Sequence, residues 1–471
     1  MAKNAIFCHK PLQVLCGRPA LAAIVGAWLA VASEPALRAV DLRVGAFAVD
    51  ATPPVGSPLC LGLVPKATGV GDPLSGRGVV LLADGEPAVV LVAVDWVGIG
   101  NASHEQWRTA IATACDTTPE RVAVQTLHQH DAPGCDLGAE TIAATAGLAG
   151  EMLNREFSEQ MIPRIAQAAA RAVDRAEPVT HVGYGAGVVE RVASNRRILG
   201  DDGKVAHQRM SSAGNRTLRD LPEGTIDPLA RVVSYWNEAR PIAVLSYYAT
   251  HPQSYYRTGN VSADFVGLAR AAREAALPGV PHIHFNGASG NVAAGKYNDG
   301  HPERRGELAA RLAAGFKAAW QATQRISTAG AAFEWKSIAV DLPVADWLQR
   351  DELEVVVRAA NAPPIDRLQA ARALAFLDRR AAGKPIILSR LRIGEVDVLH
   401  LPGEPFVEYQ LAAQQLRANR FVCVAGYGDY GPGYIGLSRS YAEGGYETGR
   451  PSRVSPRVET VLMRAIEELG R

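Results

Sequence analysis

Short apolar runs, each closed by a turn of Gly, Pro, Asn or Asp, alternate along this chain with longer stretches whose apolar residues recur every three or four positions. The runs Leu42–Val49, Gly78–Ala83 and Ala88–Val94 read as strands, the last two joined as a hairpin by Asp84-Gly85-Glu86. Ser103–Ala114 reads as a helix and Val122–Val124 as a buried strand. Glu151–Ala176 reads as a long helix, with Leu153, Phe157, Met161 and Ile165 at helical spacing. A strand near Val179–Tyr184 leads into a polar loop, Asn195–Gly224, long enough to be a lid or a substrate-facing segment. Strands at Ala230–Trp236 and Pro241–Tyr248 flank the turn Asn237-Glu238-Ala239-Arg240. Then come a helix at Ser262–Ala276 with Ser262 as its cap, a strand at Val280–Phe285 and a helix at Pro302–Thr323. The last third predicts strands at Ala331–Val340, Ile386–Ile393 and Val396–Leu401, and helices at Asp366–Ala381, Pro405–Ala418 and Ser455–Leu469. Neither a Pro/Ser-rich linker nor a fixed-period repeat divides the pattern. The expected architecture is an α/β fold (α+β mixed): one large catalytic domain over residues 40–471, with mixed sheets and flanking helices.

Composition changes this picture little. A chain of 471 residues with 48% hydrophobic and 21% charged content is a globular protein with a large core. A net charge of +1 makes nucleic acid an unexpected partner. The N-terminus is different in kind. Lys3, Lys10 and Arg18 precede an uncharged apolar run, Leu21–Val31, and Ala30-Val31-Ala32 is a small-x-small site. This is the pattern of a secretory signal peptide over residues 1–32, implying a secreted or periplasmic protein, with an N-terminal membrane anchor as the alternative. Its removal takes the net charge from +1 to −2. Cys8 and Cys16 leave with it; export would allow one or two disulfides among Cys60, Cys115, Cys135 and Cys423, with no pairing specified.

The candidate chemistry collects where apolar strands end. Val122–Val124 opens into Leu127-His128-Gln129-His130-Asp131. If strand geometry continues, His128 and His130 share a face and Gln129 turns away. The two rings can share a metal, divide into ligand and acid–base group, or simply hydrogen-bond in a polar loop. His251 follows the strand ending at Tyr248, Asn286–Asn291 follows Phe285, and Glu404 follows Leu401. In α/β folds the loops at one sheet end converge on a site. Two or three imidazoles and a carboxylate suit Zn²⁺ with one position left for water, at ligands drawn from distant parts of the chain. HExxH is absent, which excludes the zinc-protease helix. Gly287-Ala288-Ser289-Gly290-Asn291 fails as a nucleophile elbow because Asn291 stands where its last glycine belongs. Each residue also has a plainer reading: His251 bonding a carbonyl, Glu404 complementing a helix start, Arg196 and Arg197 as loop charges (the preferred reading for Arg197), Tyr434 packing among glycines. His282 and His284 fit a core or supporting position, and His104 and His301 look structural.

His128-Gln-His130-x-x-Pro133-Gly134 resembles the His-x-His-Ser-Gly-Pro-Gly segment of neutral, non-lysosomal ceramidases. Further pieces resemble that family in its order: Ser194-Asn195-Arg196, Ala249-Thr250-His251-Pro252, Pro402-Gly403-Glu404, and Gly433-Tyr434-Ile435 followed by Tyr441 and Tyr446-Glu447. The resemblance spans most of residues 42–450. It implies a zinc site of His128, His251, Glu404 and Tyr434, surrounded by His130, Arg196 and Tyr446. It implies hydrolysis of a C–N amide bond by a zinc-bound water, with His130 passing a proton to the leaving amine and Arg196 or Tyr446 stabilising the oxyanion. The expected partner is a small-molecule or lipid-like amide, with peripheral membrane contact left open. Two departures shape that expectation. Ala293 stands where the family has an active-site serine, and the family's C-terminal β-sandwich is not expected after residue 471. A smaller or more polar substrate than ceramide is therefore expected. A zinc hydrolase of esters or glycoconjugates, or a binding protein that keeps the fold without turnover, are the alternatives.

Overall fold

The computed structural model describes residues 41–471. The first sheet contains β1 (Leu42–Asp50), β2 (Ser75–Ala83), β3 (Val89–Val94) and β4 (Val122–Thr126), in the order β4-β3-β2-β1, with the short strand Glu177–Pro178 at its far edge. β1, β2 and β3 run antiparallel as hairpin neighbours. α1 (Asn101–Ala114) crosses over so that β4 joins β3 in parallel. α2 (Leu137–Thr145) and α3 (Arg155–Asp174) follow, capped by the side chains of Asp136 and Asn154. β3 shows why the sheet lies in the middle of the molecule. All six of its residues are buried. Val90, Val92 and Val94 join the core built with Trp107, Ile111, Met161 and Ile165 of α1 and α3. Val89, Leu91 and Ala93 join a second core on the other face. A strand covered on both sides becomes a continuous apolar run.

That second core is shared with a sheet of β5 (His181–Val188), β6 (Leu229–Asn237), β7 (Arg240–Tyr248), β8 (His282–Asn286) and β9 (Gln324–Ser327), ordered β8-β7-β6-β5-β9. β8 returns parallel to β7 through α4 (Asp264–Ala276). α5 (Glu303–Gln321) lies against β5, where Gly185 and Gly187 leave room for its backbone at Ala319. The third sheet, β10 (Phe333–Val340), β11 (Ile386–Ile393), β12 (Val396–His400) and β13 (Phe421–Ala425), has that strand order. α6 (Arg350–Arg358) and α7 (Pro364–Ala381) connect β10 to β11, and α8 (Val407–Gln415) makes β12 and β13 parallel. α9 (Val458–Gly470) packs on β10 and β11. The described residues form one compact unit of mixed α/β structure.

Several expectations need correction. α2, α6 and β13 had no counterpart in the sequence reading, because a short Ala-rich helix, a two-turn helix and a five-residue apolar run each carry little periodicity. The N-cap of α4 is Ala263, although the Ser262 hydroxyl still accepts from Asp264 N at 2.9 Å. The polar loop Asn195–Gly224 is partly ordered into Arg197–Leu199, Val205–Gln208 and a short helix, Arg216–Asp220. Cys60, Cys115, Cys135 and Cys423 are buried free thiols, so the disulfides that export would allow do not form among them. The signal peptide expected over residues 1–32 lies outside the described residues. Among those described, no helix is long and apolar enough to cross a membrane.

Candidate metal centre

Each sheet contributes one parallel strand pair: β3 with β4, β7 with β8, and β12 with β13. The segments leaving the carboxyl ends of these strands meet. Asn286 Nδ2 donates to Leu127 O at 2.9 Å, Gly426 N to Asn286 O at 2.8 Å, and Thr126 N to Tyr427 O at 2.9 Å. His128 follows β4, His251 follows β7, Glu404 follows β12 and Tyr434 follows β13. Two short pairings fix the registers. Glu404 is paired with Tyr434 in a parallel bridge. Ser194–Asn195 pairs with Val292–Ala293, and Arg196 N donates to Asn291 O at 2.8 Å while His251 N donates to Val292 O at 2.9 Å. Gly290 is required here, since a Cβ would fall on the Glu404 carbonyl. Gly290→Ala is expected to displace Glu404 and lower metal affinity about ten- to a hundredfold, the range for disturbed ligand support, measured by zinc competition with a chelating dye.

His128, His251 and Glu404 present ligand atoms that all lie within 4.8 Å of one another, and all three residues are buried. Glu404 Oε2 is 3.3 Å from His128 Nε2 and 3.1 Å from His251 Nε2. Each ring is locked from behind. His128 Nδ1 is 2.7 Å from Val97 O, and His251 Nδ1 is 2.7 Å from Ser289 O and 3.1 Å from Val292 O. A carbonyl only accepts, so both Nδ1 atoms carry the proton and both Nε2 lone pairs face Glu404. Burial, only partly opposed by the Glu404 hydrogen bond, pushes the His251 imidazole down to about 4. Two lone pairs and a carboxylate converging in a dry place need a positive charge between them. The donor set and the carbonyl-anchored imidazoles fit a divalent cation of the zinc type.

β4 ends at Thr126, and His128 has φ of 69°, in the left-handed region that costs a non-glycine residue of order 1–3 kcal/mol. His128 and His130 therefore share a space through loop geometry, not through strand alternation. Their Nε2 atoms are 3.3 Å apart. Gln129 does turn away, its Nε2 reaching Asp95 Oδ1 and Ala263 O, both at 3.3 Å. Behind it Asp95 takes two bonds from Arg270, at 2.8 and 2.7 Å, and two from Ser75. The loop is also held by Gln253 Nε2 on His128 O at 2.8 Å, and by Asp131, which accepts from Arg257 N and Thr258 Oγ1.

The structure brings the remaining expected residues to the same place. Arg196 is buried, with Nη1 3.3 Å from both His251 Nε2 and Tyr434 OH, and Nε 3.3 Å from the buried Glu447. Tyr434 OH is 3.3 Å from His251 Nε2. Tyr446 stands at the edge, 48% exposed, its ring 5.8 Å from that of Tyr434. His128, His130, Glu404, Tyr434 and Tyr446 line a cavity of about 380 Å³. Arg197 is not a solvated charge: it bonds Glu443 and Glu447, each at 3.1 Å. Ala293 is fully buried in its short strand and does not line the cavity. Ser289 gives its hydroxyl to the Tyr427–Ser289 pair at 2.8 Å, which leaves it no nucleophile's geometry. His104, His282 and His284 bond Val124 O, Val280 O and Ser246 inside the fold, away from the cavity. Lys296 and Tyr297 bond Arg219 O and Glu223, closing the polar loop. The sequence reading gave no role to Glu447, Tyr427 or the Asp95–Arg270 pair. The only signal for the last was Asp95 at the end of an apolar run.

Fold and donor set together define a mixed α/β scaffold carrying a candidate two-histidine, one-carboxylate metal centre at its strand ends. The structure superposes on neutral ceramidase from Pseudomonas aeruginosa with a TM-score of 0.67 at 18% identity, covering 91% of this chain and 74% of that one. It also matches a ceramidase complexed with C2, TM-score 0.66 at 17% identity, over 91% of this chain and 75% of that one. The chain thus has the neutral ceramidase fold. No protein-family model matches it. No curated protein matches it either.

Proposed function

We propose that this protein is an exported zinc-dependent hydrolase of a C–N amide bond. The convergence of His128, His251 and Glu404, with His128 and Glu404 lining the cavity, carries the reading. The fold shared with ceramidases supports amide chemistry; the N-terminal pattern supports export. His128, His251 and Glu404 would hold the ion, with Tyr434 OH as a fourth, weaker partner. A zinc ion there supplies charge that polarises a carbonyl and acidifies a water. His130 Nε2, on the cavity wall, takes a proton from the attacking water and returns it to the leaving nitrogen. Arg196, kept charged and in place by Glu447, faces the developing oxyanion, with Tyr446 OH a second donor at the rim.

The purified protein is expected to hold about one equivalent of zinc, in line with a single site of three protein ligands. Chelation should abolish hydrolysis of a panel of linear amides, and zinc should restore it. A metal-free protein that hydrolyses amides, or a zinc-loaded one that hydrolyses none of the panel, would sink the reading.

A further inference from the structure

The cavity above the metal centre is not uniformly apolar. Leu63, Trp347, Leu353, Val356 and Ala370 supply an apolar wall, largely from α6 and α7. Arg372 of α7 and Arg453, just before α9, also line it, both buried at 5% and 4% exposure, together with Asp366 and Arg450. Buried charges are ordinarily paired. Arg196, Arg197 and Arg270 obey that rule, each against a carboxylate. Among the described residues, no carboxylate lies within 4.0 Å of Arg372 or Arg453. Arg372 bonds Gln369 Oε1 at 3.3 Å and lies 5.0 Å from the centre of the Tyr430 ring. Arg453 gives Nη1 to Gly431 O at 3.0 Å, and its buried Nε has no partner. The nearby Asp136 accepts from Asn101 Nδ2 and Ala139 N, and reaches both guanidinium groups through its charge but not by a hydrogen bond. Burial, with the charge of Arg372 beside it, brings the Arg453 guanidinium down to about 9. Two desolvated guanidinium groups with no carboxylate in contact, in a cavity that also has an apolar wall, describe the complement of an amphiphilic anion.

We infer that the substrate is an N-acyl amino acid: its carboxylate is received by Arg372 and Arg453, its acyl chain lies on the α6–α7 wall, and its amide reaches the His128–His251–Glu404 end of the same cavity. This rests on the amide-hydrolase reading and names its substrate class. Cleavage adds water across the C–N bond, releasing a fatty acid and the free amino acid, with no other reactant. The arginines position the substrate; they do not take part in the proton transfers.

The test compares N-octanoylglycine with its methyl ester, which is the same molecule without the charge, on the full chain by titration calorimetry and by hydrolysis of the amide. The acid should bind at least about tenfold tighter than the ester, the scale of one charge-assisted contact. Arg372→Met should erase that preference by weakening the acid alone, raising KM with little change in kcat. Equal binding of acid and ester by the parent protein would overturn the inference without recourse to a variant, whatever the variant's folding. So would an Arg372→Met protein, folded by circular dichroism, that keeps the full preference, since the carboxylate would then be held elsewhere, including at the metal. Charge-selective binding without hydrolysis would support this inference while refuting the amidase reading. Hydrolysis of the ester in preference to the acid would do the reverse.

Discussion

His128→Ala is expected to purify with less than about a tenth of an equivalent of zinc and to lose amide hydrolysis by about a thousandfold or more, the several kcal/mol that a polarising cation supplies. The neighbouring variant should behave differently. His130→Ala should keep its zinc and lose about 10²- to 10⁴-fold in kcat, the usual worth of a positioned acid–base group. The two rings are two residues apart and their Nε2 atoms are 3.3 Å from each other, so bulk loss or general loosening of the loop would affect both variants alike. The structure separates them by their other nitrogen. His128 Nδ1 is fixed on Val97 O, which aims its lone pair at Glu404. His130 Nδ1 is buried with no partner, so nothing anchors that ring as a ligand's ring is anchored. Elemental analysis and single-substrate kinetics on both proteins check the contrast. Full zinc in His128→Ala would remove that residue from the ligand set, and loss of zinc in His130→Ala would add that one to it.

Much of this arrangement was legible in the sequence because its parts are local. Strand ends announce themselves where an apolar run meets a polar turn, and His128, His251 and Glu404 each stand a few residues past such an end. What the sequence did not show is what depends on contacts between distant segments. The left-handed φ of His128 is held by its hydrogen bonds to Trp96 O and Val97 O and by the one it accepts from Gln253, residues that carry no mark of it. Arg197 looked solvated because its partners, Glu443 and Glu447, are some 250 positions away. Glu404 looked like a helix-start residue, yet it lies in a two-residue parallel bridge to Tyr434, too short to leave a periodic trace. Arg372 belongs to a helix whose buried and exposed positions were readable, but a buried arginine and a surface one are the same letter. Only the cavity distinguishes them.

Arg270→Met is expected to destabilise the fold by about 3–5 kcal/mol, the cost of leaving a buried carboxylate without its partner. Asp95 is fully buried just after β3, and among the described residues its one ion-pair partner is Arg270, which holds both its oxygens. Burial alone would raise the Asp95 carboxyl, but the charge and hydrogen bonds of Arg270, aided by Ser75, outweigh it and keep it below the ordinary aspartate range. A carboxyl lowered in the folded state adds stability above its unfolded value, near 3.9, and that contribution fades as pH falls through the folded value. The parent protein should therefore lose stability on acidification in a step that Arg270→Met lacks. The double variant Asp95→Leu/Arg270→Met should recover part of the loss, because an apolar pair leaves no orphaned charge. Recovery of stability need not restore the site. Gln129, between the two histidines, bonds Asp95, so the double variant should fold yet bind zinc more weakly than the parent. Urea unfolding at two pH values, with zinc affinity measured on the same samples, decides it. If the single variant stays within about 1 kcal/mol of the parent, the pair is a surface-like contact of small worth and does not hold the histidine loop in place.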